Sequence, residues 1–285
     1  MVNINNLKNT VKVLTTIKPA RSYNNLESLN KIAKYIQTQF ESYGLENEIQ
    51  PYNVGENEYK NIIGTINPQG KETIVIGAHY DVCGELPGAD DNASAIAGLL
   101  ELARILKLNE KSLNTKIIFV AYSLEEPPYF GTKEMGSYIH AKSLKDSNID
   151  IKVMICLEMI GYFSDEENSQ EYPLDFMKDT YPNTGNFIAI AGTPDSAEAI
   201  EGVMNGMKKT TLPAEKVIAP REVPGISLSD HRNYWTMDYK ALMITDTAFF
   251  RNPNYHKSSD TMDTLDFEKM AEVVKGVYYY VTKSL

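Results

Sequence analysis

The sequence predicts an α/β fold of the three-layer α-β-α kind, with a mostly parallel, mixed sheet in the middle. Three observations carry that expectation. Short runs of strand length, TIVIGA (73–78), KIIFVAY (116–122) and IKVMICL (151–157), are apolar over nearly their whole length, as strands covered on both faces are. Longer segments between them repeat their apolar residues at helical spacing. Strands alternating with helices along a chain give a mostly parallel sheet with a helical layer on each side.

Taken in order, residues 25–43 place Leu26, Leu29, Ile32, Ala33, Ile36 and Phe40 on one helical face, and Gly44 supplies a stop. Residues 61–66 and 73–78 read as strands, 92–106 as a helix with small and apolar residues on its buried side, and 116–122 as a core strand. Residues 132–144 read as a helix and 151–157 as a strand. Further on, 187–191 reads as a strand, 196–208 as a helix, 241–245 as a strand and 267–281 as a closing helix. Residues 209–227 and 251–264 read as polar loops containing Gly or Pro. Nothing marks an internal repeat or a low-complexity linker, so one domain spanning 1–285 is the economical expectation.

Composition narrows the function classes. Lys and Arg total 28 against 38 Asp and Glu, a net charge of -10. An acidic chain is a poor ligand for nucleic acid, whose phosphates need a basic footprint. The charge is explained by solubility, though part of it could line a cleft that holds cations. Two cysteines, Cys83 and Cys156, make no disulfide framework and no CxxC pair. Their apolar settings suggest buried free thiols, although both fall close to metal-capable residues. No apolar run has transmembrane length, and the N-terminal residues lack a signal peptide's apolar stretch. The expectation is a soluble, cytoplasmic chain with no membrane partner; a secreted protein whose signal had been removed would read the same. The oligomeric state is not legible.

The informative pattern is where the acids and imidazoles fall. TIVIGA runs into His79, Tyr80 and Asp81; KIIFVAYSL runs into Glu125 and Glu126; IKVMICL runs into Glu158. Ligand sites in open α/β sheets form at the carboxyl ends of strands, so these ends converge on one rim. Residues two apart on a strand share a face, so Asp81 can accept the second N–H of His79 and fix its tautomer. In PGADDNASA (87–95), Asp90 to Asn92 can cap the following helix, and one of the two aspartates could bridge cations; spacing does not choose between Asp90 and Asp91. Two adjacent carboxylates at a buried strand end are costly unless a cation or proton intervenes, and neighbouring side chains diverge, so Glu125 and Glu126 have separate tasks. His256 sits in the polar loop RNPNYHKSSDTMD. Asp230, before His231, fits a helix cap, and His140 reads as a structural helix residue.

The order HYD, GADDNAS, EE, EMIG, NPNYH resembles the co-catalytic zinc aminopeptidases of metallopeptidase family twenty-eight, which also takes in glutamate carboxypeptidase II-like enzymes and glutaminyl cyclases. The likeness runs from about residue 60 to the C-terminus. It implies two Zn2+ ions per chain. His79 would bind one and His256 the other, with Asp91 bridging, Glu126 and Glu158 as further ligands, Glu125 as general base and Asp81 orienting His79. It also implies a cis peptide at Asp91–Asn92. Two departures stand out. Many members carry Asp where this chain has Glu158, and the stretch PPYFGTKEMGS after Glu126 is longer than the usual turn.

The resemblance therefore implies a zinc-dependent exopeptidase that removes N-terminal residues from peptides bearing a free N-terminus, by a water held at the two ions and a glutamate base. Tyr162, Phe163, Ile226 or Tyr255 could line the pocket beside the scissile carbonyl. Three alternatives stay open. A glutaminyl cyclase would use a single zinc. A carboxypeptidase would need a cationic pocket, for which Arg221, Arg232 and Arg251 are available. A non-catalytic binding protein on the same fold would show damaged ligands.

Overall fold

The computed structural model describes residues 1–283. Among these residues the α-helices are α1 (Ile4–Thr16), α2 (Leu26–Tyr43), α3 (Ala95–Leu108), α4 (Gly136–Asp146), α5 (Ala197–Met207), α6 (His231–Thr236) and α7 (Phe267–Lys283). The strands are β1 (Glu46–Val54), β2 (Asn57–Ile66), β3 (Glu72–His79), β4 (Thr115–Tyr122), β5 (Val153–Glu158), β6 (Ile188–Gly192), β7 (Ala214–Ile218) and β8 (Ala241–Thr245). All eight form one sheet in the order β1-β2-β4-β3-β5-β8-β6-β7. The central four, β4, β3, β5 and β8, are parallel. Strand β2 joins β4, and β6 joins β8, in antiparallel fashion.

Strand periodicity sorts the core into two layers. Along β4, Ile117, Phe119 and Ala121 face one side while Ile118, Val120 and Tyr122 face the other. The first side packs under α1, α2, α3, α5 and α7, and the second under α4 and α6. Helix α2 buries Leu29, Ile32, Ala33, Ile36 and Phe40, and Gly44 ends it at φ 79, where a side chain would be strained. No helix among the described residues is long and apolar enough to cross a membrane.

Three elements lie outside the sequence expectations. Helix α1 is capped by Asn3, whose side chain accepts the Asn5 N–H, and buries Leu7, Val11 and Leu14. Strands β1 and β7 are the two edges of the sheet. Strand β1 carries Pro51 and is mostly exposed, while β7 occupies part of the stretch read as loop. An edge strand needs neither an apolar face on both sides nor an N–H at every residue, so it lacks the core strands' signature. Helix α3 begins at Ala95, not residue 92, because residues 89–94 form a wider turn.

Strand β3 sends its connection through α3 to β4 on one side, and β4 returns through α4 to β5 on the other. That reversal opens a crevice at the carboxyl ends of β3 and β5.

Candidate metal centre

His79 is the last residue of β3 and Glu158 the last of β5; Glu125 and Glu126 follow the end of β4. Asp91 lies in the turn before α3, and His256 in the loop between β8 and α7. The strand ends turn sharply to present them. Leu124 (φ 62) precedes Glu125, Met159 (φ 47) follows Glu158, and His256 itself has φ 51. Left-handed non-glycine residues cost on the order of 1 kcal/mol each and gather where a side chain must be aimed.

Asp91 stands between the two imidazoles. Its Oδ1 is 3.3 Å from His79 Nε2, and its Oδ2 is 3.1 Å from His256 Nε2. Glu158 Oε2 lies 3.5 Å from His79 Nε2, and Glu126 Oε2 lies 3.2 Å from His256 Nε2. Both Nε2 atoms are buried and have no hydrogen-bond partner among the described residues. Buried polar atoms are otherwise nearly always paired, so two orphans facing carboxylates call for an occupant. Donors about 2.0–2.1 Å from a tetrahedral zinc stand roughly 3.3 Å from one another, close to the separations found here. The donor set fits a pair of cations: His79, Asp91 and Glu158 could hold one, and His256, Asp91 and Glu126 the other.

Surrounding residues fix these side chains. Asp81 Oδ1 accepts the Glu125 N–H at 3.2 Å and Oδ2 the Glu126 N–H at 3.0 Å. His79 Nδ1 is 3.5 Å from Asp81 and has no hydrogen-bond partner, so Asp81 braces the glutamate turn rather than accepting the imidazole N–H expected of it. Glu158 Oε2 accepts from Ser229 Oγ at 2.6 Å and Asn92 Nδ2 at 3.3 Å, and Asn92 Oδ1 accepts the Met159 N–H. Asp260 accepts the N–H of Asp90 and of Asp91. Asp90 points away from the imidazoles, to the Gly161 N–H and Asn252 Nδ2. The Asp91–Asn92 peptide is cis.

Below the Asp91 turn lies Arg21, 1% exposed. Its guanidinium donates to four carbonyls: Tyr80 at 2.9 Å, Leu14 at 3.1 Å, Pro87 at 2.7 Å and Gly88 at 2.7 Å. Gly88 has φ 57, and a Cβ there would meet the Asp91 carbonyl at 2.3 Å and Arg21 at 2.9 Å. A glycine is thus required on both counts.

Electrostatics match a cation site. Burial would lower His79, but the carboxylates of Glu125 and Glu158 hold it well above its ordinary range. Burial raises Glu125 well above the usual carboxylate range, against the pull of His79. Burial, reinforced by Asp91, pushes Glu126 up to about 7. Burial alone would raise Asp91, yet the facing imidazoles of His256 and His79 carry it below its ordinary value. Positive charge placed among these groups relieves their mutual repulsion.

All seven residues singled out in the sequence therefore meet at one rim. Sequence reading passed over Arg21, Asn92, Ser229 and Asp260 as supports; none sits at a strand end, and only tertiary contacts mark them. Neither cap expectation is met. No side chain among Asp90 to Asn92 caps α3, and Asp230 makes no cap bond on α6: both its oxygens are buried without partners. Burial pushes Asp230 up to about 7. Cys156 is buried, but Cys83 is only half-buried, within ligand reach of Glu126 and His256. Ile226 and Tyr255 line a cleft beside Glu158. Tyr162 and Phe163 do not; Phe163 packs under Arg251 instead. None of the three arginines lines that cleft: Arg221 lies over Trp235, Arg232 over Phe130, and Arg251 stands behind its wall, bonded to Gln170 and the Phe187 carbonyl.

Five acid and imidazole groups gathered on the rim at the carboxyl ends of the parallel strands, with an aspartate between two histidines, agree with a match over residues 61–281 to the model of peptidase family M28, and the chain belongs to that family. It is 43% identical over 280 residues to YfbL of Escherichia coli (strain K12), covering 95% of this chain and 85% of that one. Leucine aminopeptidase 1 of Ajellomyces capsulatus (strain G186AR / H82 / ATCC MYA-2454 / RMSCC 2432) is 27% identical over 76% of this chain, which spans 55% of that protein. LapB of Legionella pneumophila superposes with a TM-score of 0.78 at 24% identity, over 100% of this chain and 72% of its own. The Bacteroides thetaiotaomicron glutaminyl cyclase bound to N-acetylhistamine does so at 0.74 and 18%, over 99% and 98%. These two structures share the fold.

Proposed function

We propose that this M28-family chain is an aminopeptidase working with two zinc ions, which releases N-terminal residues from peptides with a free N-terminus. The observation that carries the reading is the orientation of Asp91: one carboxylate oxygen for each of two histidine nitrogens, both without hydrogen-bond partners. His79, Glu158 and His256, Glu126 would complete the two ligand sets. Bound there, the ions would polarise the scissile carbonyl and lower the pKa of water.

The chain's own residues supply the rest. Glu125 Oε2 lies 3.7 Å from His79 Nε2, is buried, and has an enhanced affinity for protons. On this reading it takes a proton from the attacking water and delivers it to the leaving amine. Asp81 holds the Glu125 and Glu126 backbone, which keeps the base and its neighbouring ligand divergent. Excess carboxylate at the rim favours a substrate's positively charged N-terminus.

Aminoacyl 4-nitroanilide turnover, with and without a chelator, tests this reading alongside elemental analysis for zinc. Turnover abolished by the chelator, with close to two zinc ions per chain and fewer in His256→Ala, is the expected result. One zinc in the wild type, or turnover indifferent to the chelator, would refute it.

A further inference from the structure

A cleft leads sideways from Glu158 across the sheet, over β8, β6 and β7. Its floor contains a row of residues in register. Glu158 of β5 pairs with Thr245 of β8, Thr245 with Ala189 of β6, and Ala189 with Glu215 of β7. Residues directly opposed across strands share a face, so two carboxylates mark the ends of one trough with the short side chains of Thr245 and Ala189 between them. Three strand spacings separate the ends, roughly 14 Å. The adjoining row, Met243, Ala191 and Val217, adds an apolar floor. Phe249 forms a wall, its ring 5.5 Å from Tyr255, which stacks on His256 at 3.9 Å. The trough therefore begins at two of the candidate metal ligands.

Its outer end is unlike its walls. Glu215 is half-buried, and its carboxylate makes no hydrogen bond or ion pair among the described residues. The adjacent Lys216 is turned away to Glu201. Tyr172 and Tyr181, stacked with centroids 5.8 Å apart, stand beside it: burial raises both phenols and the charge of Glu215 adds to the rise, while Arg251 opposes it at Tyr172 and Lys216 at Tyr181. Burial likewise raises the Glu215 carboxyl. A half-buried carboxylate lacking a cation invites a charge-assisted hydrogen bond, and aromatic rings attract a cation independently. The apolar stretch leading to it suits methylene groups.

We propose that the trough seats the side chain of the substrate's N-terminal residue and selects a long cationic one, lysine or arginine, with Glu215 as the recognising carboxylate. The identity of the bound molecule rests on the aminopeptidase reading. A leucine or methionine side chain would fill the inner trough and leave the carboxylate unpaired.

The test compares kcat/KM of the zinc-loaded protein on 4-nitroanilides of lysine, arginine, leucine and norleucine; norleucine keeps the straight stem without the ammonium. Lysine is expected to exceed norleucine by about tenfold or more, and Glu215→Gln to bring that ratio within about twofold. A wild type that prefers norleucine or leucine, or a ratio untouched by Glu215→Gln, overturns the proposal. Should no nitroanilide be cleaved, the aminopeptidase reading falls and the trough is judged by calorimetry with lysinamide and norleucinamide. Tighter lysinamide binding that Glu215→Gln removes supports it, and equal binding overturns it.

Discussion

Glu125 and Glu126 are neighbours in sequence and have different surroundings. Glu126 Oε2 faces His256 and its Oε1 accepts the Cys83 N–H. Glu125 has no such hydrogen bond, and its carboxylate leans toward His79 at 3.7 Å. The difference follows from the turn, where adjacent side chains diverge once Asp81 has tied down both backbone N–H groups. If Glu125 handles the proton and Glu126 a cation, Glu125→Gln keeps two zinc ions by elemental analysis while kcat falls by about 10²–10⁴-fold. A variant that keeps near-normal kcat removes Glu125 from the proton transfer. The divergence of the two glutamates was legible from their adjacency. The partner of each was not, because His79 and His256 lie on other elements that only the fold brings beside the two glutamates.

At the scale of elements, the N-terminal segment does more than cover the sheet. Arg21 links the end of α1, the residue after β3 and the turn that carries Asp91, through four carbonyls. Burial lowers its pKa to about 10, which leaves it charged at neutral pH. Removing it would leave several buried carbonyls unpaired, each costing about 1–3 kcal/mol. Arg21→Met should destabilise the protein by roughly 3 kcal/mol or more in urea titrations. It should also weaken zinc binding by about 10–100-fold in competition with a chelator, the effect expected of a residue that supports metal ligands. Lysine cannot replace the planar fork, so Arg21→Lys should recover little. Full stability and unaltered zinc affinity in Arg21→Met would show that the turn holds without it. The same scale explains which elements escaped sequence reading. Strands β3, β4 and β5 are covered on both faces and read as apolar runs, whereas β1 and β7 are edges whose polar residues resemble loop.

For the molecule as a whole, two buried imidazoles outside the candidate centre set an acid limit. Burial lowers His140 to about 3 and His231 to about 4. His140 Nδ1 meets the Tyr234 hydroxyl at 2.5 Å, and Tyr234 in turn meets Tyr122. The unfolded chain binds a proton at each histidine below about pH 6.5, while the folded chain resists until near pH 3–4. Each therefore stabilises the fold fully above that unfolded value and progressively less as pH falls toward its folded one. Buried carboxylates raised to about 6 or 7, such as Asp246 and Asp260, titrate in the opposite sense, so a single stability curve mixes both. The His140 contribution is isolated by difference. Relative to His140→Gln, the wild type should lose roughly 2 kcal/mol between pH 7.5 and 5.0 in urea unfolding. A pH-independent difference would mean that His140 is not held neutral in the folded state.

Sequence alone determined the layer architecture, the apolar central strands and the acids and imidazoles at their carboxyl ends. Those features are local: strand periodicity and the residue that ends a run are written in consecutive positions. Tertiary structure decided what spacing left open, that Asp91 and not Asp90 faces both imidazoles, and also that Arg21 and Asp260 hold its turn and that Glu215 shares a row with Glu158. Each of these joins residues on separate elements: the register of the sheet aligns Glu215 with Glu158, and loops packed at the sheet's rim bring Asp91, Arg21 and Asp260 together, neither of which is written in spacing along the chain.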